Sequence, residues 1–196
     1  TLPRLTTRLA ALILLLVPIA LLGPGLMPGK VLADYGTENV YPYKPHTSDE
    51  DREGLAMVNA DIIRENLVYR HVVRESMLKG EIPWWSPTMY GGTPFVGLSH
   101  TQVFYPLTWL TLPLKPHAAH NWLLLIHLWI AGLGAFTWFR SAGRSRAAAL
   151  FGGLTFVLNG MFATRQGHPQ FVHVAAWLPW MLVAVEHIFG RQRFLA

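Results

Sequence analysis

Residues 120–140 read H-N-W-L-L-L-I-H-L-W-I-A-G-L-G-A-F-T-W-F-R, and this stretch decides the fold class. A helix needs about twenty predominantly apolar residues to cross the hydrocarbon of a bilayer, and here no formal charge intervenes before Arg140. Working outward, three further segments have the same character. Residues 9–27 carry Pro18 and Pro24 and follow Arg4 and Arg8; residues 147–162 are short but almost wholly apolar; residues 171–189 contain V-A-A-W-L-P-W-M-L-V-A-V and end before Arg191 and Arg193. Composition agrees: 52% of the chain is hydrophobic and 14% charged, against roughly 25% charged in a soluble domain. The eight tryptophans suit rings placed at membrane interfaces.

The expected architecture is therefore an all-α integral membrane protein with about four transmembrane helices. Residues 1–29 hold the first transmembrane helix and its basic N-terminus. Residues 30–119 form a long first loop containing an amphipathic interfacial helix at 62–79. Residues 120–190 hold helices two to four, and 191–196 read as the cytoplasmic start of a missing remainder. Arginines flank the first span, fill the turn R-S-A-G-R-S-R (140–146) and follow the fourth span, while ten of the eleven acidic residues fall between spans one and two. The positive-inside rule then places the N-terminus in the cytoplasm and the long loop outside, which predicts a multi-pass protein of the bacterial inner (cytoplasmic) membrane. The first span also has the basic start and apolar centre of a signal sequence, but no small-x-small cleavage site follows it. Cysteine is absent, which removes disulfides and thiolate metal sites. A pI near 9.8 raises nucleic acid as a partner, yet the basic residues form no dense run, so no nucleic acid is expected.

The long loop has two halves. Residues 31–60 are polar, with Asp49, Glu50 and Asp51 reading as a solvated cluster; the D-x-D spacing lacks the further ligands a divalent ion needs. Asp61 then opens a helix that stops at Gly80. Ile62, Ile63, Leu67, Tyr69, Val73, Met77 and Leu78 share one broad arc, which suits a helix lying along the membrane. Asn66, Arg70 and Arg74 interrupt that arc. Guanidinium groups four residues apart can cradle a lipid phosphate, or they can snorkel to headgroups and pair with Glu75 or Glu81. Asp61 can likewise be a helix cap or a general base that deprotonates an acceptor hydroxyl. In G-E-I-P-W-W-S-P-T-M-Y-G-G-T-P-F (80–95), Trp84, Trp85 and Tyr90 can anchor at the interface or shape a saccharide pocket. The Gly91-Gly92 pair has neither phosphate-loop nor dinucleotide spacing.

These motifs together carry a resemblance. An Asp opening an amphipathic helix, then K-G-E-I-P-W-W-S-P, G-G-T-P-F, T-Q-V-F-Y-P-L, a span with A-G-L-G, and F-G-G-L-T-F-V-L-N-G-M-F followed by G-H-P-Q resemble the N-terminal part of YfhO-like bacterial membrane proteins, from Asp34 onward. Those proteins are similar to C-type glycosyltransferases, which take sugars from polyprenyl-phosphate carriers at the outer membrane face. The resemblance implies a longer protein of which this chain is an N-terminal fragment. It makes Asp61 the catalytic base, with Asp34 the competing candidate, and Arg70 and Arg74 the donor-phosphate contacts. Ser86 stands where the family usually has asparagine and Trp84 where it has leucine; neither departure touches the base.

Within the spans, His127 reads as a neutral hydrogen-bonded imidazole and Asn159 as an interhelical hydrogen-bonding group. Glu186 and His187 read as neighbours of Arg191 or Arg193. His168, Gln170 and His173 lie at the outer end of span four, where His168 joins the candidate acceptor site. The function implied is sugar transfer from a polyprenyl-phosphate-linked donor to an envelope polymer or lipid acceptor, with membrane lipid as surroundings and no metal or cofactor. The alternative is a non-catalytic transport or envelope-assembly component that keeps the fold.

Overall fold

The computed structural model describes residues 5–28, 30, 32, 62–89 and 91–193. Helix α1 covers Thr7–Leu22 and runs on into a 3₁₀ turn at Gly23–Leu26. A π-helical turn at Ile62–Asn66 leads into α2, Leu67–Leu78. Short helix α3 is Pro106–Leu110. Then follow α4 at Pro116–Ser141, α5 at Arg146–Val157, α6 at Gly160–Thr164, α7 at Pro169–Ala175 and α8 at Leu178–Arg193. Among the described residues there is no strand, only an isolated bridge between Ser86 and Thr93. Four segments are long and apolar enough to cross a bilayer: Thr7–Leu26, Pro116–Ser141, Arg146–Thr164 and Pro169–Phe189. The chain is an all-α membrane protein, as its hydropathy predicts.

The segments differ from expectation in ways their residues explain. Helix α4 starts at Pro116, earlier than residue 120, because proline suits the first helical turn, where its missing N–H has no partner to lose. Its 26 residues make a rod of about 39 Å, longer than the ~30 Å hydrocarbon core, so its polar opening turns with His117, His120 and Asn121 need not enter lipid. The third span breaks after Val157. Asn159 does not bond across to another helix; its Oδ1 accepts from Phe162 N–H at 3.1 Å and caps α6, while its Nδ2 donates to Phe156 O at 2.7 Å. The fourth span breaks at Ala176–Trp177, before Pro179 in the first turn of α8, where a proline is tolerated. Glu186 accepts from Ser141 Oγ at 2.8 Å, a partner its sequence position did not suggest.

The chain divides into two compact units. The first draws its described residues from Thr1–Pro24, Leu124–Arg165 and Gln170–Ala196. Its core is Ala10 and Leu14 of α1, Phe136 of α4 and Ala149 of α5. In lipid the hydrophobic effect does not drive helices together, so close packing and polar contacts must do so. Small residues provide the approach: a Cβ on Gly153 would sit 3.0 Å from the Gly132 carbonyl oxygen, and one on Gly132 would sit 3.1 Å from both Leu14 and Val157. Two residues further on, and so on another side of α4, Gly134 makes room for Trp180 of α8. A Cβ there would fall 2.7 Å from the indole, whose Nε1 donates to Ile130 O at 2.9 Å. The A-G-L-G stretch thus serves two helix contacts at once. Trp129 Nε1 adds a third link, to Ala11 O at 3.1 Å.

The second unit comprises the described residues of Gly25–Leu123 and Gln166–Pro169. It has its own core of Tyr69, Val73, Phe95 and Val103.

Gly134→Ala should force the Trp180 ring out of register and cost about 1–3 kcal/mol, read as earlier unfolding in a denaturant titration of the micelle-solubilised protein. Adding Trp180→Phe should recover part of the loss. Wild-type unfolding in Gly134→Ala would show that the α4–α8 contact does not depend on this space.

Candidate functional site

Helix α2 organises the second unit. Ile62 and Asn66 of the π-helical turn and Tyr69, Arg70 and Val73 of α2 are buried, spaced at i, i+4, i+7, i+8 and i+11, one face of a helix. Protein rather than lipid covers this face: Tyr69 meets Phe95 edge-on, with ring centroids 5.7 Å apart and planes at 87°. Val68 and Leu78 stay exposed. The helix stops as its sequence predicts. Gly80, at φ +79°, donates to Met77 O at 3.0 Å and Glu81 N–H to Ser76 O at 3.0 Å, the two bonds of a Schellman cap, which needs a left-handed residue at this point.

Arg70 and Arg74 reach one small space, as their i, i+4 spacing implies, but in different states. They line it together with Thr108, Thr111 and Leu114, and its volume is about 10 Å³, roughly that of one water. Arg74 is half-buried and held by protein: Nε donates to Leu114 O at 2.9 Å and Nη1 to Glu75 at 2.8 Å. Arg70 is 8% exposed. Its Nη2 donates to Gln102 Oε1 at 3.4 Å, while its Nε has no hydrogen-bond partner and no carboxylate among the described residues pairs with it. Burial pulls its pKa well below the ordinary guanidinium range, to about 10. Thr108 Oγ1 in the same lining is also buried without a partner. Of the two arginines, Arg70 thus has an unbonded guanidinium nitrogen and no carboxylate partner among the described residues, while Arg74 is tethered at its edge.

Two more polar groups enclose the region. His120 is fully buried, its Nε2 lies 3.1 Å from Leu32 O, and it sits within electrostatic reach of Arg70. Asn121 clasps the start of the long loop: Nδ2 donates to Gly25 O and to Lys30 O at 2.9 Å, and Oδ1 accepts from Leu32 N–H at 2.9 Å. At the other end of the site, Asn66 Nδ2 donates to Gly167 O at 3.3 Å. This ties the base of α2 to the segment that holds half-buried His168. His168 therefore belongs to the same unit as Arg70, whereas His173 belongs to the first unit, where its ring stacks on that of His127 at 3.8 Å.

The aromatic loop is open. Trp84 and Trp85 are 62% and 59% exposed, Trp84 leans on Phe104 with centroids 6.1 Å apart, and Gly92 packs against the Trp85 ring. Backbone bonds between Ser86 and Thr93, at 2.9 and 3.0 Å, close the loop. Rings presented this way suit an interface or a sugar face better than a core. Asp61, Asp34 and Tyr90 lie outside the described residues, as do Asp49, Glu50 and Asp51. Among the described residues no group of three or more His, Asp or Glu side chains is placed to hold a metal ion.

Sequence reading missed Gln102, Thr108, His120 and Asn121. Only Gln102 gives a local signal: it takes a left-handed backbone at φ +53°, a conformation that costs a side-chain-bearing residue about 1 kcal/mol or more, at the residue that touches Arg70. No family model, curated protein or solved structure matches the chain.

A cation whose pKa falls on folding costs stability at every pH below about 10, by on the order of 3 kcal/mol here. That cost fades as pH rises above about 10 toward the ordinary guanidinium range. Arg70→Met should therefore unfold later than wild type at pH 7, by about 1–4 kcal/mol, and the gain should shrink above pH 10. A less stable variant at pH 7 would mean that Arg70 already has its counter-charge.

Proposed function

We propose that this chain is part of a polytopic membrane glycosyltransferase of the C-type lineage, YfhO-like in its motifs, which moves a sugar from a polyprenyl-phosphate donor to an envelope polymer or lipid acceptor. The observation that carries this reading is Arg70, a buried guanidinium with a free Nε beside a free Thr108 hydroxyl and no carboxylate partner among the described residues. A lipid-linked phosphate would supply a counter-charge. In the reaction a carboxylate takes the proton from the acceptor hydroxyl as its oxygen bonds to the anomeric carbon. The bond from that carbon to the phosphate oxygen breaks, and the leaving phosphate keeps the electron pair. Donors placed where negative charge grows are worth several kcal/mol in a site that excludes water. Arg70 fills that role, and Arg74 holds the rim.

Asp61 and Asp34 remain the two candidates for the base. Trp84 and Trp85, with Tyr90 from the same loop, would meet sugar or headgroup, and His168 the acceptor. Arg140, Arg144 and Arg146 in the α4–α5 turn support an N-terminus in the cytoplasm of a bacterial cell and the second unit on the outer face of its inner membrane. A non-catalytic envelope component is the second reading, favoured by the water-sized space beside Arg70, which must widen to admit a phosphate.

The test is sugar transfer from a polyprenyl-phosphate donor in membranes carrying the full-length reading frame, at matched expression. Arg70→Met should lower turnover at least 10²-fold, in the range seen when one transition-state donor is removed, and either Asp61→Asn or Asp34→Asn should abolish it. Transfer unaffected by all three changes would sink the catalytic reading.

A further inference from the structure

In the first unit, Ala148, Phe151 and Thr155 on one face of α5 are exposed. Ala148, Phe151, Gly152, Thr155, Phe156 and Asn159, at i, i+3, i+4, i+7, i+8 and i+11, line a cleft of about 560 Å³ whose other walls come from α4 and α8. That volume falls in the range of small-molecule sites, about 300–1,000 Å³. The walls are apolar: Trp138 and Phe139 on one side, Leu178 and Leu182 on the other. The twelve residues of α5 span about 18 Å, close to half the ~30 Å hydrocarbon core. The cleft thus has the length of one leaflet.

One end carries charge. Arg144 contributes to the lining, and its backbone is fixed from both sides. Gly143, at φ +76°, donates to Arg140 O at 3.1 Å and Arg144 N–H to Phe139 O at 3.0 Å, which caps α4; Arg140 Nη1 donates to the Arg144 carbonyl. Ser145 Oγ then accepts from Ala148 N–H at 3.2 Å and caps α5. Three arginines, Arg140, Arg144 and Arg146, lie within this turn, and the carboxylate among the described residues of this unit, Glu186, is engaged by Ser141. An apolar trough one leaflet long, with an exposed arginine on a fixed backbone at its mouth, matches a tail and an anionic headgroup on one molecule.

We propose that this cleft binds an anionic phospholipid, one acyl chain lying along α5 and the phosphate meeting Arg144. The site is separate from Arg70 and stands whether or not the protein transfers sugars. Exposed Thr155 and Ala148 have room for larger side chains, so Thr155→Trp or Ala148→Phe closes the trough without touching the core.

The experiment is native mass spectrometry of the full chain released from micelles, titrated with dioleoylphosphatidylglycerol or dioleoylphosphatidylethanolamine. The expected result is one phosphatidylglycerol retained per monomer at least tenfold more tightly than phosphatidylethanolamine. Arg144→Gln should abolish that preference, and Thr155→Trp and Ala148→Phe should lose the bound lipid. In the unmutated protein, a phosphatidylglycerol with a photoreactive acyl chain should label peptides containing 148–156, a readout independent of variant folding. Equal retention of the two lipids by the unmutated protein would overturn the proposal. So would undiminished lipid binding in both filled variants, labelling confined to other segments, or a dimer that the filled variants dissociate, since a second helix would then be the occupant.

Discussion

At Gly132 and Gly153 the backbones of α4 and α5 come so close that a single added methyl on Gly153 would press on a carbonyl oxygen, with Leu14 of α1 closing the same spot. In water such a contact would be one of many that share the work of burial. In lipid, where the tails are as apolar as the side chains, close backbone approach is the main source of association, because dispersion falls off steeply with distance. The other features of the first unit follow from it. Gly134 can turn to the opposite side of α4 and receive Trp180, and α5, held to α4 and α1 along its small-residue side, leaves its remaining face open.

The second unit works under the opposite constraint. One face of its helix α2 is buried against its own unit, and the resulting interior contains a guanidinium that burial disfavours. A fold selected only for stability would put a methionine or leucine there. Arg70 is retained against a cost of a few kcal/mol, with a backbone at Gln102 that is itself in an unfavourable region beside it. Two local penalties thus meet at one contact, and they motivate the binding role proposed for Arg70.

Much of this was legible in the sequence. Span number, the helix after Asp61, its stop at Gly80 and the shared side of Arg70 and Arg74 all follow from hydropathy, capping chemistry and helical period, which are local properties. What escaped reading was non-local. Nothing in the chain near Arg74 announces the Leu114 carbonyl forty residues away, and nothing near Asn121 announces Gly25 and Lys30. Asn159 was misjudged because an asparagine in an apolar run can satisfy itself locally as well as across helices, and hydropathy averages over the short breaks at Asn159 and Trp177. The two acids on which the proposed chemistry turns lie outside the described residues, so their roles rest on the sequence alone.

The α4–α5 turn has a consequence for how the protein reaches its membrane. It closes with its own hydrogen bonds at both helix ends, so the two helices can enter the bilayer as a single hairpin without waiting for other parts of the chain. Carrying its three arginines through the hydrocarbon afterwards would cost on the order of 8–10 kcal/mol, taking the central-position scale for each. The arginines therefore weight the choice of side toward the one the turn takes at insertion.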